Sequence, residues 1–131
     1  KEASGNLSQV AKIAHLCGDN LSIYSGNDDE VLPCLSLGGS GVISVLSNVA
    51  PQVVHNMCYS YFNGDVNTAR DLQIKYVNLI AALFSDVNPI PVKEAMNMMG
   101  MDVGDCRLPL YRMTDAARET LRACLAKHGL V

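Results

Sequence analysis

The feature that most constrains the fold is an alternation of strand-like and helix-like segments in the first half of the chain. Residues 41–46, GVISVL, form a continuous β-branched run, which is typical of a strand buried on both faces in a parallel sheet. A shorter strand is predicted at 21–24, with helices before it, between the two strands at 30–38, and after them at 51–62. Helices between successive strands predict parallel strands joined by crossover connections.

The pattern changes after Gly64, where only helices are predicted. Apolar residues recur at helical spacing over 65–84, and further helices are predicted at 91–101 and 114–129. Two parallel strands cannot bury both faces without neighbouring strands, so a sheet of this size is not stable alone. We therefore expect the chain to be the later part of a longer protein.

Composition narrows the class of function. Hydrophobic residues make up 49% of the 131 residues and charged residues 18%, which is typical of a folded globular chain. The net charge is -3 and no run of lysine or arginine occurs, so we expect no binding to nucleic acid or to an anionic membrane surface. The apolar run at 77–84 is too short to span a membrane.

The cysteines and histidines do not form a ligand pattern. The five cysteines are odd in number, widely spaced and without a CxxC pair, which argues against a disulfide framework and a zinc site. We expect most of them to be buried as small hydrophobic side chains. The three histidines lie alone on predicted helices, so no metal site is predicted.

Lys1 is the residue that could carry chemistry. If a strand ends just before it, Lys1 lies at the carboxyl end of that strand, where catalytic groups lie in α/β barrels. Burial there would disfavour the ammonium form, and a neutral amine is what Schiff-base chemistry with a carbonyl requires. The alternative is an ordinary solvated lysine, which is the usual state of a lone lysine.

The loops after the two predicted strands would face the same rim as Lys1. They are SGNDD at 25–29 and SNVAP at 47–51. We expect Asp28 and Asp29 to cap a helix rather than to act as acids. The glycine-rich GGSG at 38–41 precedes its strand, so it is interpreted as a tight turn and not as a phosphate-binding loop.

Five short motifs follow one another along the chain. They are KEASGN at 1–6, YSGNDD at 24–29, LGGSGVISVLSNV at 37–49, NPIPVK at 88–93 and RLPL at 107–110. In this order they resemble one known family, the dihydrodipicolinate synthases, and the similarity extends over the whole chain without large gaps.

The resemblance implies a specific α/β architecture. The chain would be the C-terminal part of a (β/α)8 TIM barrel, from the end of strand 6 through strands 7 and 8, followed by a three-helix C-terminal domain. Residues 1–64 would complete the barrel and residues 65–131 would form the helical domain.

The resemblance also implies a class I aldolase that condenses pyruvate with aspartate semialdehyde in lysine biosynthesis. Lys1 matches the lysine that forms the Schiff base, and Gly26 and Ile43 match residues whose backbone lines the pyruvate pocket. Many relatives carry an aspartate where this chain has Asn27, a change in a loop. No cofactor or metal is implied, and the tyrosine and threonine of the family's proton relay would precede Lys1.

The family resemblance further implies a cytoplasmic homotetramer, with Leu7, Ser8 and Leu37 at a subunit contact. Leu7 could equally pack inside one subunit. Two other functions stay open. One is a sister pyruvate aldolase, such as N-acetylneuraminate lyase or a 2-keto-3-deoxy sugar acid aldolase. The other is a helical module that binds a partner and has no chemistry.

Overall fold

The first and the last helix begin at side chains that cap them. The computed structural model describes residues 1–131. Asn6 caps the first helix by accepting a hydrogen bond from the Gln9 N–H at 3.2 Å, and Thr114 caps the last by accepting from the Ala117 N–H at 3.3 Å. The helices are α1 (Leu7–Cys17), α2 (Val31–Ser36), α3 (Pro51–Phe62), α4 (Val66–Leu83), α5 (Ile90–Met98) and α6 (Asp115–Lys127), and the strands are β1 (Tyr24–Ser25) and β2 (Gly41–Val42).

The structure confirms all six predicted helices, and α3 has the predicted bounds. The others differ by a few residues at their ends, most of all α5, which stops at Met98 although the prediction continues to residue 101. Gly100 has a φ of 82°, a left-handed backbone conformation that glycine adopts without steric cost just after a helix. The glycine therefore ends α5 inside the methionine-rich segment.

The strands are confirmed in type but are shorter than predicted. β2 includes only Gly41–Val42, and Leu46, the last residue of the predicted strand, begins a 3₁₀ helix that extends to Asn48. Leu46 is buried in that turn, so its apolar character reflects burial and not strand geometry. Short apolar runs do not distinguish a buried strand from a buried turn by periodicity.

The sheet is parallel, and β1 lies between two partners. Tyr24 pairs with Gly41 and Ser25 with Val42 in β2, while on the other side Ser25 forms a parallel bridge with Glu2. Two backbone bonds support that bridge, since the Glu2 N–H donates to the Tyr24 carbonyl at 2.9 Å and the Gly26 N–H to the Glu2 carbonyl at 2.6 Å. The segment at Lys1 thus runs beside β1 as a third parallel strand would.

Contacts divide the chain into two compact units. The first comprises residues 1–44 and 52–75, and the second comprises residues 45–51 and 76–131. The predicted domain boundary after residue 64 falls within the first unit and stays a prediction. No helix combines the length and the apolar composition that crossing a membrane requires.

The first unit has two clusters of buried side chains around the short sheet. One places α1 and α2 against the residue before β1, through Val10, Ile23 and Cys34. The other packs α2 against α3 through Val31, Leu35 and Met57. These clusters fix the helices that follow each strand, and therefore the loops at the carboxyl edge of the sheet.

In the second unit α5 packs against α6. Its largest buried side chains are leucines, namely Leu46 and pairs on α4 and α6, and an ion pair joins Arg118 Nε to Glu94 Oε2 at 2.9 Å. The Tyr76 ring stacks on the His128 imidazole with the ring centroids 4.4 Å apart. None of these groups is a predicted site residue.

Candidate active site

The Lys1 side chain lies directly against Gly26. A Cβ atom placed on Gly26 would stand 2.7 Å from Lys1 Cε, 3.1 Å from Lys1 Cγ and 2.6 Å from Ala3 Cβ. These separations are shorter than ordinary carbon–carbon contacts, so a side chain at position 26 would displace the lysine stem or Ala3. The structure thus brings together two of the three residues predicted to form the pyruvate site.

Ile43, the third, lies at the same edge of the sheet. It follows β2 directly, and its N–H donates a hydrogen bond to the Ser25 carbonyl at 2.8 Å. Its side chain is 51% exposed, so the backbone hydrogen bond, and not side-chain packing, fixes the position of Ile43. Lys1, Gly26 and Ile43 therefore follow or flank three adjacent parallel segments, at the edge where such sheets bind ligands.

Lys1 itself is exposed in this chain. The burial that would disfavour the ammonium form of Lys1 is therefore not provided by residues 1–131. Only the packing of its methylene stem on Gly26 constrains the side chain here.

Glu2 organises the loop that leads from Lys1 to α1. Its carboxylate accepts hydrogen bonds from the Ser4 N–H at 2.7 Å and from Gln9 Nε2 at 3.0 Å. Hydrogen bonds from Ser4, and next from Gln9, hold the pKa of the Glu2 carboxyl below its usual range. Sequence reasoning missed this role, because a glutamate beside a terminal lysine carries no recognisable signal.

The loop after β1 is held by side chains that fold back on its own backbone. Ser25 is buried, and its Oγ donates to the Asn27 carbonyl at 2.8 Å and accepts from the Asn27 N–H at 3.2 Å. Asn27 Nδ2 donates to Glu30 Oε2 at 2.9 Å. Asn27 therefore takes part in fixing the loop.

Asp28 differs from what the sequence predicts. It was expected to cap a helix, but it is 2% exposed and its Oδ1 accepts a hydrogen bond from Ser44 Oγ on the loop after β2. Asp29, in contrast, is exposed. Because Asp28 and Ser44 are 16 residues apart in the chain, spacing gave no signal that they would meet.

The residues predicted at a subunit contact lie on neighbouring helices. Leu7 and Ser8 are exposed on the first turn of α1, and α1 contacts α2. Leu37 follows α2 and packs against the cluster of Val10, Ile23 and Cys34 while staying partly exposed. Leu7 is thus available on the surface of the first unit, and Leu37 only in part.

The cavity of the second unit lies among residues other than the predicted site residues. A cavity of about 120 Å³ lies in the second unit, where Arg112 pairs with Asp105 at 2.7 Å and Lys93 Nζ donates to the Asp105 carbonyl at 2.7 Å. The charged groups in that cavity are thus already paired with one another or with backbone. No group of three or more histidine, cysteine, aspartate or glutamate residues is arranged to hold a metal ion.

The cysteine prediction is wrong for most of the set. All five are free thiols, but only Cys34 is buried, and the other four are partly exposed. Burial, and next the Glu30 carboxylate, raises the pKa of the Cys34 thiol, and burial raises that of Cys58. Neither thiol is therefore suited to act as a nucleophile.

Comparison with known proteins identifies the family of the chain. A family model described as the dihydrodipicolinate synthetase family matches residues 1–128. The 4-hydroxy-tetrahydrodipicolinate synthase of Clostridium perfringens is 55% identical over 131 residues, which is 100% of this chain and 45% of that protein. The chain therefore spans less than half the length of this relative.

Solved structures match the fold over the full chain. A dihydrodipicolinate synthase variant described as monomeric is 39% identical with a TM-score of 0.93, covering 100% of this chain and 45% of that one. A chloride-inhibited dihydrodipicolinate synthase from Acinetobacter baumannii, complexed with pyruvate, is 34% identical with a TM-score of 0.94 and the same coverage.

These matches confirm the predicted fold class. The chain has the fold of the C-terminal part of a (β/α)8 barrel with its following helices, because it superposes over its whole length on part of such enzymes. Together with the family model and the identity to the clostridial enzyme, they settle the resemblance that the five motifs suggest. The chain belongs to the dihydrodipicolinate synthetase family.

Proposed function

We propose that this chain is part of an enzyme that condenses pyruvate with aspartate semialdehyde through a Schiff base on Lys1. The product would be 4-hydroxy-tetrahydrodipicolinate, in lysine (diaminopimelate) biosynthesis. The observation that carries the proposal is the Lys1 stem packed on Gly26 at the carboxyl edge of a parallel sheet. Relatives named for this synthase activity support it.

In this reaction the neutral amine of Lys1 attacks the ketone carbon of pyruvate, and loss of water gives an imine. The imine nitrogen then accepts the electron pair released when the methyl group loses a proton, which gives an enamine. The enamine carbon adds to the aldehyde of the second substrate. Finally, attack by the product's own amine on the imine carbon releases Lys1 and closes the ring.

The residues of this chain would position pyruvate rather than move its protons. We assign the backbone of Gly26 and Ile43 to the wall of the pyruvate pocket, on either side of the Lys1 amine. The tyrosine and threonine that relay protons in the family would come from sequence preceding Lys1. No cofactor is required by this chemistry, since the imine itself is the electron sink.

The two rival functions are less well supported. A sister aldolase acting on a sugar acid would share Lys1 and the imine, but the relatives at 53–56% identity carry the synthase name. A helical binding module would not need a glycine shaped to the stem of a lysine. Both remain outcomes of the experiment below.

Assembly and location are part of the same proposal. We propose a cytoplasmic homotetramer in which Leu7, Ser8 and Leu37 contribute to a subunit contact, supported by the exposed position of Leu7 and Ser8 on α1. One solved relative is described as a monomeric dihydrodipicolinate synthase variant. Sedimentation of the full-length enzyme, with and without Leu7→Asp, would measure the contact directly.

Activity of the full-length enzyme tests the proposed reaction. Lys1→Arg keeps the positive charge but cannot form an imine, so it should abolish condensation. Lys12→Arg makes the same change at an exposed lysine of α1 and should leave the rate unaltered. Turnover with pyruvate and aspartate semialdehyde supports the synthase, turnover only of a sugar acid supports a sister aldolase, and no turnover with either contradicts the proposal.

A further inference from the structure

We propose that Asp28 is a positioning residue for the pyruvate site. Through Ser44 it ties the loop after β1 to the loop after β2, and so fixes the backbone of Gly26 and Ile43 around Lys1. This inference rests on the proposed function and adds to it a residue that does not itself touch the substrate.

Burial of Asp28 indicates that its contacts are specific. The residue is 2% exposed, and aspartate is almost never buried without partners, because leaving water is costly for a carboxylate. Its Oδ1 accepts the hydrogen bond from Ser44 Oγ. A hydrogen bond to a charged group is stronger than one between neutral groups, so this contact can hold two loops in register.

The positions of the two partners connect the contact to the site. Asp28 comes two residues after Gly26, and Ser44 comes directly after Ile43. The Ile43 N–H already donates to the carbonyl of Ser25, which precedes Gly26. The main-chain bond and the side-chain bond therefore bracket the two backbone segments that are proposed to face pyruvate.

A second contact, made by Gln73, holds the main chain of Asp28. Gln73, on α4, donates from Nε2 to the Asp28 carbonyl at 2.8 Å and accepts at Oε1 from the Leu32 N–H at 3.1 Å. The Leu32 N–H belongs to the first turn of α2, where backbone donors lack helical partners. Asp28 is thus fixed through both its backbone and its side chain, and loss of the Ser44 contact would shift the β2 loop rather than Asp28.

The test uses the full-length enzyme and measures the pyruvate concentration that gives half-maximal borohydride-trapped adduct on Lys1, with KM for both substrates. Asp28→Asn and Ser44→Ala should each raise the half-saturating pyruvate concentration about fivefold or more, because a small misplacement of positioning groups weakens productive binding. Ser44→Thr keeps the hydroxyl and should restore values near those of the unaltered enzyme.

Two controls separate positioning from stability. Asp29→Asn makes the same change at an exposed neighbour and should leave pyruvate saturation unchanged. The double variant of Asp28→Asn with Ser44→Ala should be no worse than Ser44→Ala alone, because Asp28→Asn only weakens, by replacing a carboxylate with an amide, the same interaction that Ser44→Ala removes. Thermal unfolding of every variant is measured alongside.

The measurements distinguish a positioning role of Asp28 from a purely structural one. A lowered melting temperature with unaltered pyruvate saturation in Asp28→Asn and Ser44→Ala would overturn the inference and leave Asp28 a purely structural residue. Should Asp28→Asn fail to fold, the Ser44→Ala and Ser44→Thr pair decides, because only the threonine keeps a hydroxyl group that can donate to Asp28. If the unaltered enzyme forms no adduct with pyruvate, the proposed function fails first and the inference falls with it.

Discussion

Replacing Gly26 by alanine tests the close packing of Lys1 most sharply. The new Cβ would lie 2.7 Å from Lys1 Cε and 2.6 Å from Ala3 Cβ, whereas ordinary contact begins at 3.4 Å, so each neighbour must move by 0.7 to 0.8 Å. Overpacking costs about 1–3 kcal/mol in a packed core, and less here because Lys1 and Ala3 are exposed. Since the moving atom is bonded to the reacting nitrogen, we expect the rate of Schiff-base formation to fall about tenfold or more.

Gly39→Ala is the matched control for this change. A Cβ there would lie 2.7 Å from both the carbonyl oxygen and Sγ of Cys34, so it introduces a clash of the same size that involves no proposed site residue. In full-length protein both variants should unfold at lower urea concentration, but only Gly26→Ala should slow trapping of pyruvate by borohydride. Adding Ala3→Gly should recover part of the loss by removing the shortest contact.

Equal trapping rates in Gly26→Ala and in the unaltered enzyme would refute the reasoning, provided that both are folded. Equal slowing in Gly26→Ala and Gly39→Ala would refute it as well. In that case the loss would follow general destabilisation and not displacement of Lys1.

Three further outcomes are expected. Hydrogen bonds lower the pKa of the Glu2 carboxyl in the folded chain, so its contribution to stability is complete above the pKa of an unfolded glutamate and is lost as the pH falls through the lowered value. The free energy of unfolding, measured in urea from pH 6 downward, should therefore fall less steeply in Glu2→Gln than in the unaltered protein. Burial raises the pKa of the Cys34 thiol, so its alkylation near neutral pH should be slower in folded than in urea-unfolded protein, as measured by peptide mass spectrometry. Asn6→Ala removes the cap of α1 and should lower the free energy of unfolding by about 1 kcal/mol, which chemical denaturation would measure.

Helix positions could be predicted because their determinants are local. Asn6 and Thr114 cap their own helices, and Gly18 ends α1 through a backbone conformation that needs no distant partner. The end of α5 before Gly100 was not predicted, because apolar residues continue to Met101. Strand order was equally accessible, since helices between apolar segments leave few alternatives to parallel pairing. Strand length could not be predicted, because a leucine that is buried in a turn, as Leu46 is, looks the same in the sequence as a leucine that is buried in a strand.

The candidate site was predictable only in part. Lys1, Gly26 and Ile43 were named through the family resemblance, and periodicity alone would have left Lys1 as a solvated lysine. The contact between Asp28 and Ser44 could not be anticipated, since it depends on two loops meeting after the sheet has formed. The packing of Lys1 on Gly26 likewise depends on the register between the first residues and β1.

The most direct test of the central claim is to trap the intermediate in the full-length enzyme. The enzyme is incubated with pyruvate, reduced with borohydride, digested, and mapped by mass spectrometry. We predict one reduced pyruvate adduct per chain, on the Lys1 side chain, with Lys12 unmodified. An unmodified Lys1 peptide, or an adduct on another lysine, would contradict the assignment of Lys1 as the Schiff-base residue.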